Sequence, residues 1–358
     1  MGAEVIRVDR AADVGRIPEV TDEPQFVNLR GRRSVAIDLK EPAGVETLLR
    51  LVDRADALID VFRPGVVERL GVGPDVCLAR NPRLVYGRMT GWGQDGPWSR
   101  AAGHDINYVA LSGMLAAIGE PGGGPVPPLN LVGDFGGGGL LLCFGMVCAL
   151  LEARASGEGQ VIDAAMVDGS ALLGSMFYGL AQTGKWKEER GANLLDGGAH
   201  FYRNYETADG RWVSVGAIEP KFYAQLVEAM GLADADLPDQ YDQERWPVSR
   251  ERFAAAFRTR TQAEWNERLE PLDACYAPVL DFEEAYAHPH NTARDMFIDV
   301  DGFRQPAPAP RFSRSRPEIT RGAARVGEHS EEILRDWGFD PGEVERLREA
   351  GAIACDLG

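Results

Sequence analysis

Three apolar runs between residues 34 and 89 decide the fold: Ser34-Val-Ala-Ile-Asp-Leu39, Ala57-Leu-Ile-Asp-Val-Phe62 and Leu84-Val-Tyr-Gly-Arg-Met89. Each run has the length and the β-branched or aromatic content of a buried strand. Apolar residues recur at helical spacing from Val45 to Val52, and a short helix is indicated from Val66 to Leu70. Strands that alternate with helices at this pitch predict a parallel sheet covered by helices.

Two further strands are predicted outside this stretch, Glu4–Asp9 before it and Gln160–Ala165 after it. A helix from about Val167 to Gly184 follows the last strand. The longest apolar run, about Leu140 to Leu151, is too short to span a bilayer and is predicted to be a buried helix.

Basic residues follow several of the predicted strands. Arg10, Lys40 and Arg63 each come directly after a strand, and the turn at Thr90 follows the fourth. Ligands of parallel sheets bind outside the carboxyl ends of the strands, so this shared position predicts an anionic ligand. The glycine pattern that binds dinucleotides does not follow the first strand, which argues against NAD.

The chain is predicted to have two domains, with a boundary in the glycine-containing linker 191–198. Residues 1–190 and 304–358 form the large domain, and residues 198–303 form a smaller α+β domain. The tail from Val326 to Gly351 reads as a pair of amphipathic helices that returns to the large domain.

The smaller domain begins with an alternating pattern from Phe201 to Ile218, interrupted by Asp209-Gly210, which predicts a hairpin. Pro220 suits the first turn of the next helix. Helical patterns continue to about Ala287. His288-Pro-His290 has no partner at metal-ligand spacing, so it is predicted to be a loop and no metal site is expected.

Composition excludes several functions. The 358 residues carry a formal net charge of −17, which argues against binding nucleic acid or an anionic membrane surface. The five cysteines are scattered without metal spacing, as is typical of a reducing cytoplasm. We therefore expect a cytoplasmic location.

Two motifs carry the chemistry, Gly103-His-Asp-Ile-Asn-Tyr108 and the glycine-rich Asn130-Leu-Val-Gly-Asp-Phe-Gly-Gly-Gly-Gly139. His104 is predicted at the head of one helix. Asp134 is predicted just before another, which starts near Gly138. Together they offer an imidazole, a carboxylate and free backbone N–H groups, which suits proton transfer at a carbon acid. The residues alone leave open that Asp134 is a helix cap and His104 a structural histidine.

The chain resembles the α-methylacyl-CoA racemases of the family III CoA-transferase fold over essentially its whole length. The residues that carry the resemblance are Phe62-Arg-Pro-Gly-Val-Val-Glu-Arg-Leu-Gly71, Arg88-Met-Thr-Gly-Trp-Gly93, Gly103-His-Asp-Ile-Asn-Tyr108, Pro128-Leu-Asn-Leu-Val-Gly-Asp-Phe-Gly-Gly-Gly138, Asp163-Ala-Ala-Met-Val-Asp-Gly169 and Gly216-Ala-Ile-Glu-Pro220.

This resemblance implies an isomerase that racemises 2-methylacyl-CoA thioesters, with no cofactor because coenzyme A is part of the substrate. It implies a Rossmann-like large domain, a smaller domain and an interlocked homodimer. His104 and Asp134 would be the two acid/base residues, and Glu219 of the second chain would hydrogen-bond His104. The residues that match the family's CoA contacts are Arg10, Leu39, Lys40, Arg63, Arg69, Met89, Thr90, Asp105 and Tyr108.

One departure and two alternatives accompany the resemblance. Relatives begin with a strand-helix unit that is not seen here, so about thirty residues, one βα unit, are expected to be missing. One alternative is a CoA-transferase, in which a carboxylate attacks the thioester, although such an enzyme has no need of His104 as a second base. The other is a truncated homologue without activity.

Overall fold

The computed structural model describes residues 2–16 and 27–356, which form two compact units. The first unit comprises Met1–Arg88, Gly145–Ile162 and Phe282–Gly358, and the second comprises Met89–Phe144 and Asp163–Asp281. The domain bounds predicted from the sequence stay a prediction.

The strands of the described residues are β1 (Ile6–Arg10), β2 (Arg33–Ile37), β3 (Ala57–Asp60), β4 (Val85–Thr90), β5 (Gln160–Ala165), β6 (Tyr202–Glu206), β7 (Trp212–Gly216), β8 (Tyr276–Pro278), β9 (Phe297–Val300), β10 (Phe303–Pro306) and β11 (Ile353–Ala354). The α-helices are α1 (Pro42–Val52), α2 (Val66–Arg69), α3 (Pro74–Arg80), α4 (Asp105–Leu111), α5 (Met114–Ala117), α6 (Leu141–Ser156), α7 (Met166–Leu173), α8 (Ser175–Gln182), α9 (Pro220–Ala229), α10 (Trp246–Phe257), α11 (Gln262–Leu269), α12 (Phe282–Ala287), α13 (Pro289–Ala293), α14 (Ser330–Asp336) and α15 (Pro341–Glu349). A π-helical segment, Leu131–Leu140, runs directly into α6.

Parallel pairing confirms the predicted α/β class. β1 pairs with β2 in parallel, with Arg10 opposite Ile37, and β3 pairs with β4 in parallel, with Asp60 opposite Arg88. The strand orders are β1-β2-β11 and β3-β4-β5, so the strands form two three-stranded sheets. The antiparallel strand β11, of only two residues, has no sequence signal and was not predicted.

The core of the first unit is built from the apolar positions that define its elements. Ile37 of β2, Leu48 of α1 and Tyr86 of β4 are buried together. Ile333 and Leu334 of α14 join the same cluster. Each such side chain stabilises the fold by about 1.5–3 kcal/mol through burial. The predicted return of the tail to this part of the chain is therefore confirmed.

The second unit contains the antiparallel sheet β6-β7-β8. Its first two strands form the predicted hairpin, in which Glu206 pairs with Trp212 around the Asp209-Gly210 turn. Pro220 begins α9, as predicted. The third strand, β8, lies where only helices were predicted, because three residues are too few for a periodic signal.

Three helical predictions are wrong. The helix predicted from Val167 to Gly184 is divided into α7 and α8 at Gly174, where a Cβ atom would lie 2.2 Å from Sδ of Met114. The predicted loop at His288-Pro-His290 contains the start of α13, because Pro289 fits a first helical turn.

In the described residues, no group of three His, Cys, Asp or Glu side chains could hold a metal ion.

The apolar helix is the third error, since it is longer and less buried than predicted. The helix spans Leu131–Ser156, because the π-helical segment extends α6. By length and composition it could cross a membrane, a test that the core helix of a soluble protein also passes. Only 28% of its most apolar window is buried within the chain.

Candidate active site

Asp134 lies inside a helix rather than before one. The segment Leu131–Leu140 forms wide turns in which each N–H group faces the carbonyl oxygen five residues earlier, a rare geometry that is frequent at functional sites. Its glycines suit these turns, because a Cβ atom on Gly138 would lie 2.8 Å from the carbonyl oxygen of Gly133. The predicted helix start near Gly138 is therefore wrong, and the N–H groups of Gly136–Gly139 face carbonyl groups of the helix itself.

A second helix fixes this segment from the side. A Cβ atom on Gly169 of α7 would lie 1.8 Å from the carbonyl oxygen of Gly137, and one on Gly137 would lie 2.6 Å from N of Ser170. Only two glycines allow the backbones to come this close. The contact holds the turn that carries Asp134 in one position.

His104 stands directly before α4, as predicted. Its backbone is extended, and its N–H donates to Oδ1 of Asn107 at 3.0 Å. The N–H of Asn107 donates in return to the carbonyl oxygen of His104 at 2.8 Å. These two bonds fix the backbone of His104, while its side chain is exposed and accessible to a substrate.

Asp105 connects the two predicted acid/base residues. It follows His104 in the chain, is only 5% exposed, and its Oδ2 accepts from the backbone N–H of Asp134 at 2.8 Å. Its Oδ1 is buried without a hydrogen-bond partner among the described residues. Nδ2 of Asn130 donates to the Asp134 carboxylate at 3.1 Å. The structure therefore brings His104 and Asp134 to one place, with Asp105 as the link.

This linking role was not predicted from the sequence. The resemblance implies Asp105 only as a CoA contact. An Asp in the first turn of a helix is ordinarily exposed and stabilises the helix dipole. A Cβ atom on Gly133 would lie 2.6 Å from Oδ2 of Asp105, so a glycine beside Asp134 makes the approach possible. That glycine was the one available sequence signal.

The other CoA contacts that the resemblance implies in the second unit are Met89, Thr90 and Tyr108. Tyr108 is buried, and its ring meets that of Trp92 edge-on at 4.7 Å between centroids. Oγ1 of Thr90 accepts from N of Gly93 at 2.9 Å. Sδ of Met89 lies 3.6 Å from the position of a Cβ atom on Gly138. Of these residues, Met89 lies beside the π-helical segment, and Tyr108 is in the same helix as Asp105.

The predicted basic residues lie in the first unit. Arg10 ends β1, and Lys40 follows the end of the neighbouring parallel strand β2, so both are exposed at the same edge of the sheet. Leu39, which directly precedes Lys40 in the chain, packs against the core of the first unit. Arg63 follows β3, and Arg69 ends α2, where its Nη1 lies 3.3 Å from the position of a Cβ atom on Gly65. The strand-end placement predicted for Arg10 and Lys40 is thus observed.

Glu219 is exposed and stands directly before α9. Its carbonyl oxygen accepts from N of Phe222 and of Tyr223, each at 3.0 Å. Burial raises the pKa of the nearby Cys275 thiol, and the Glu219 carboxylate raises it further. The placement of Glu219 beside His104 of a second chain stays a prediction.

The sequence model that defines CoA-transferase family III matches residues 1–330 of the chain. The chain belongs to CoA-transferase family III. It is 47% identical to mouse alpha-methylacyl-CoA racemase over 99% of the chain and 91% of that protein. It is 45% identical to the human protein of the same name over 97% of the chain and 89% of that protein.

Solved structures support the fold of CoA-transferase family III. A CAIB/BAIF family protein from Brucella suis matches with a TM-score of 0.79 at 22% identity, over 94% of this chain and 92% of that one. The likeness bears on the fold alone and supports the α/β fold of the family. The interlocked homodimer and the missing N-terminal βα unit stay predictions.

Proposed function

We propose that the chain is a racemase that interconverts (2R)- and (2S)-2-methylacyl-CoA thioesters by 1,1-proton transfer through an enolate. Its 45–47% identity to two alpha-methylacyl-CoA racemases, over nearly the full chain, supports this reaction. The structural observation that carries the proposal is the hydrogen bond from Asp134 N–H to Asp105, the residue next to His104. It links the backbone of Asp134 to the residue that follows His104, which supports a site that contains both an imidazole and a carboxylate.

In the proposed mechanism the two side chains serve opposite faces of the α-carbon. Neutral His104 removes the α-proton of one enantiomer, and protonated Asp134 returns a proton to the other face. The roles are exchanged for the reverse reaction. A positioned acid or base of this kind contributes about 10²–10⁴-fold to a rate.

The enolate needs hydrogen-bond donors, each of which is worth about 3–4 kcal/mol in the transition state. The glycine N–H groups 136–139 already face carbonyl groups of their own helix. We therefore assign this role to the first backbone N–H groups of α4 and of the π-helical segment. Those of Asn107, Tyr108, Asp134 and Phe135 are excluded, because they already donate to the His104 carbonyl, to Asp105 and to the Asn130 carbonyl.

Coenzyme A enters as part of the substrate, and no further cofactor is proposed. Its phosphates would bind the exposed side chains of Arg10, Lys40, Arg63 and Arg69, in a chain of net charge −17. The remaining proposed contacts are Leu39, Met89, Thr90, Asp105 and Tyr108. The five cysteines are free, which suits the proposed cytoplasmic location.

We also propose a homodimer in which Glu219 of the second chain orients His104. The apolar helix has Leu140, Phe144, Val147 and Leu151 exposed on one face at helical spacing. Exposed apolar side chains grouped on one face are typical of an interaction surface. We propose that a second copy of the chain covers it, rather than a lipid bilayer.

A single incubation tests the reaction. With either enantiomer of a 2-methylacyl-CoA in heavy water, the racemase takes up deuterium at the α-carbon and forms the other enantiomer. His104→Ala should lose exchange mainly from one enantiomer, and Asp134→Asn mainly from the other. Acyl exchange with a free acid, in place of deuterium uptake, would favour a CoA-transferase. The absence of both reactions would overturn the proposed activity.

A further inference from the structure

A buried arginine that this mechanism does not use lies near the carboxyl end of β4. Arg88 is 7% exposed, and Asp60, its neighbour across the parallel pair, is 3% exposed. Nε of Arg88 lies 3.5 Å from Oδ2 of Asp60, and its Nη1 lies 2.9 Å from Oε1 of Glu68. One guanidinium therefore stands between a buried carboxylate and a half-exposed one.

The hydrogen bonds of this group are incomplete. Nε and Nη2 of Arg88 and Oδ2 of Asp60 are buried without hydrogen-bond partners among the described residues. Burial raises the pKa of Asp60, and the N–H of Phe62 and the charge of Arg88 oppose that effect. Buried charges with unmet hydrogen bonds cost several kcal/mol, so stability alone is a poor reason for an arginine here.

The group holds both ends of one surface loop. Oδ1 of Asp60 accepts from N of Phe62 at 2.8 Å, directly before Arg63. Glu68 lies in α2, directly before Arg69. Between them, N of Val66 donates to the carbonyl oxygen of Arg63 at 3.2 Å. The two exposed arginines of the loop are thus each next in sequence to a residue fixed by the buried group.

We propose that Arg88 is a positioning residue that holds the loop of Arg63 and Arg69 in the arrangement that binds the phosphates of CoA. This inference rests on the proposed function, which gives both arginines to CoA. Arg88 faces Asp60 with Nε and Glu68 with Nη1, two different nitrogen atoms of its planar guanidinium. A lysine ammonium is a point charge and cannot span both of them.

Two variants test the role. Arg88→Lys keeps the charge but releases one carboxylate. Glu68→Gln changes a side chain that is 43% exposed, so the fold is retained even if the buried substitution prevents folding. The matched control is Glu46→Gln, since Glu46 is 55% exposed and pairs with Arg80 at 3.1 Å in the same unit.

The measurements are binding of free CoA by calorimetry and steady-state kinetics with a 2-methylacyl-CoA. Glu68→Gln and Arg88→Lys should weaken CoA binding and raise KM by about 5–30-fold with kcat within twofold, a split that marks lost ground-state binding. In an Arg69→Ala background, Glu68→Gln should have little further effect, because its action passes through Arg69.

The outcomes separate the two levels of the proposal. If the parent binds CoA and both folded variants bind it as tightly, Arg88 has no positioning role and the racemase assignment stands. Equal effects of Glu68→Gln and Glu46→Gln on CoA binding would also overturn the inference. The loss would then follow from removing any ion pair of this unit, not from the contact between Glu68 and Arg88. A parent that binds no CoA overturns the proposed function and this inference with it.

Discussion

Asp105 shows how one side chain can link the two parts of the proposed two-base site. Its carboxylate is buried, follows His104 in sequence and holds the backbone N–H of Asp134. Asp105→Ala removes the only acceptor in this bond, so the segment that carries Asp134 is free to shift. A misplacement of about 1 Å at such a site can cost roughly 10²-fold in rate.

We therefore expect Asp105→Ala to lower deuterium exchange from both enantiomers by about 10–10²-fold, a loss typical of misplaced groups. Asp105→Asn keeps an acceptor oxygen and should lose less. Asp95→Ala, at an exposed position of the same unit, is the control. Equal losses in the Ala and Asn variants would mean that the charge of Asp105, rather than its hydrogen bond, is what matters.

His200 is a buried histidine with no role in the proposed reaction. It is surrounded by aromatic rings, its Nε2 lies 2.8 Å from the hydroxyl of Tyr223, and its Nδ1 is buried without a partner among the described residues. Burial lowers its pKa to about 4, and the charge of Arg250 acts in the same direction.

The sign of the pH effect follows from this pKa. An unfolded histidine has a pKa of about 6.5, so between pH 6.5 and 4 the unfolded chain binds a proton that the folded chain does not. Stability from this site is complete above pH 6.5 and falls as the pH drops, by up to about 3 kcal/mol. His200→Phe should flatten the fall of Tm between pH 7 and pH 4. His290→Phe, at an exposed position, should leave it unchanged, and an unaltered slope in His200→Phe would contradict the prediction.

At the scale of elements, the sequence predicts best where periodicity is long. The strands that end near Arg10 and Ile37 and the hairpin around Asp209-Gly210 all follow from pattern and turn chemistry. Of the candidate site, the position of His104 directly before α4 was predicted, whereas the helical setting of Asp134 and its link through Asp105 were not. The catalytic roles of both residues stay a prediction. Asn130–Gly139 reads as a loop and a turn, because glycine has a low helical propensity.

Tertiary contacts override that local preference. The π-helical segment depends on the approach of Gly137 to Gly169, which lie more than thirty positions apart in the sequence. No local pattern records such a contact. The same holds for β11, whose two residues find a partner in β2 from the far end of the chain.

The close contact between Gly137 and Gly169 predicts the effect of adding one methyl group to Gly169. Gly169→Ala would place a Cβ atom 1.8 Å from the carbonyl oxygen of Gly137, so the two helices must separate. We expect a loss of about 1–3 kcal/mol in the free energy of unfolding, as for other overpacked sites. Racemase activity should fall as well, because Asp134 lies on the displaced segment.

Gly179→Ala is the matched control for this prediction. Gly179 lies in α8 of the same unit, and nothing lies within 4 Å of a Cβ atom there. Alanine at a helical glycine is expected to stabilise by about 0.5–1 kcal/mol. Chemical denaturation that gives Gly169→Ala the same stability as Gly179→Ala would show that the close backbone contact is absent.

At the scale of the whole molecule, the exposed apolar face is the surface that we propose for the dimer. Leu140 is 71% exposed and Phe144 is 67% exposed, and such a face is a liability for a chain alone in water. Phe144→Glu places a charge in its middle. If a second copy covers the face, sedimentation should show the parent as a dimer and this variant as a monomer.

Phe282→Glu is the control, because Phe282 is 84% exposed but lies outside this face. A parent that sediments as a monomer and floats with neutral lipid vesicles would show that a bilayer covers the helix instead. A Phe144→Glu variant that remains dimeric would place the interface elsewhere.

The last prediction concerns which chain supplies Glu219 to each site. In a symmetric dimer with shared sites, each site takes His104 from one chain and Glu219 from the other. A carboxylate beside the imidazole would orient its ring and favour its protonated form, which the returning proton requires. His104→Ala and Glu219→Ala homodimers should each be nearly inactive in racemisation, which needs both acid/base residues. When the two variants are expressed together, their heterodimer has one site with both residues intact and one with neither, so activity returns to at most half of the parental value per dimer. If mass measurement confirms the heterodimer and no activity returns, Glu219 acts within its own chain or has no part in the reaction.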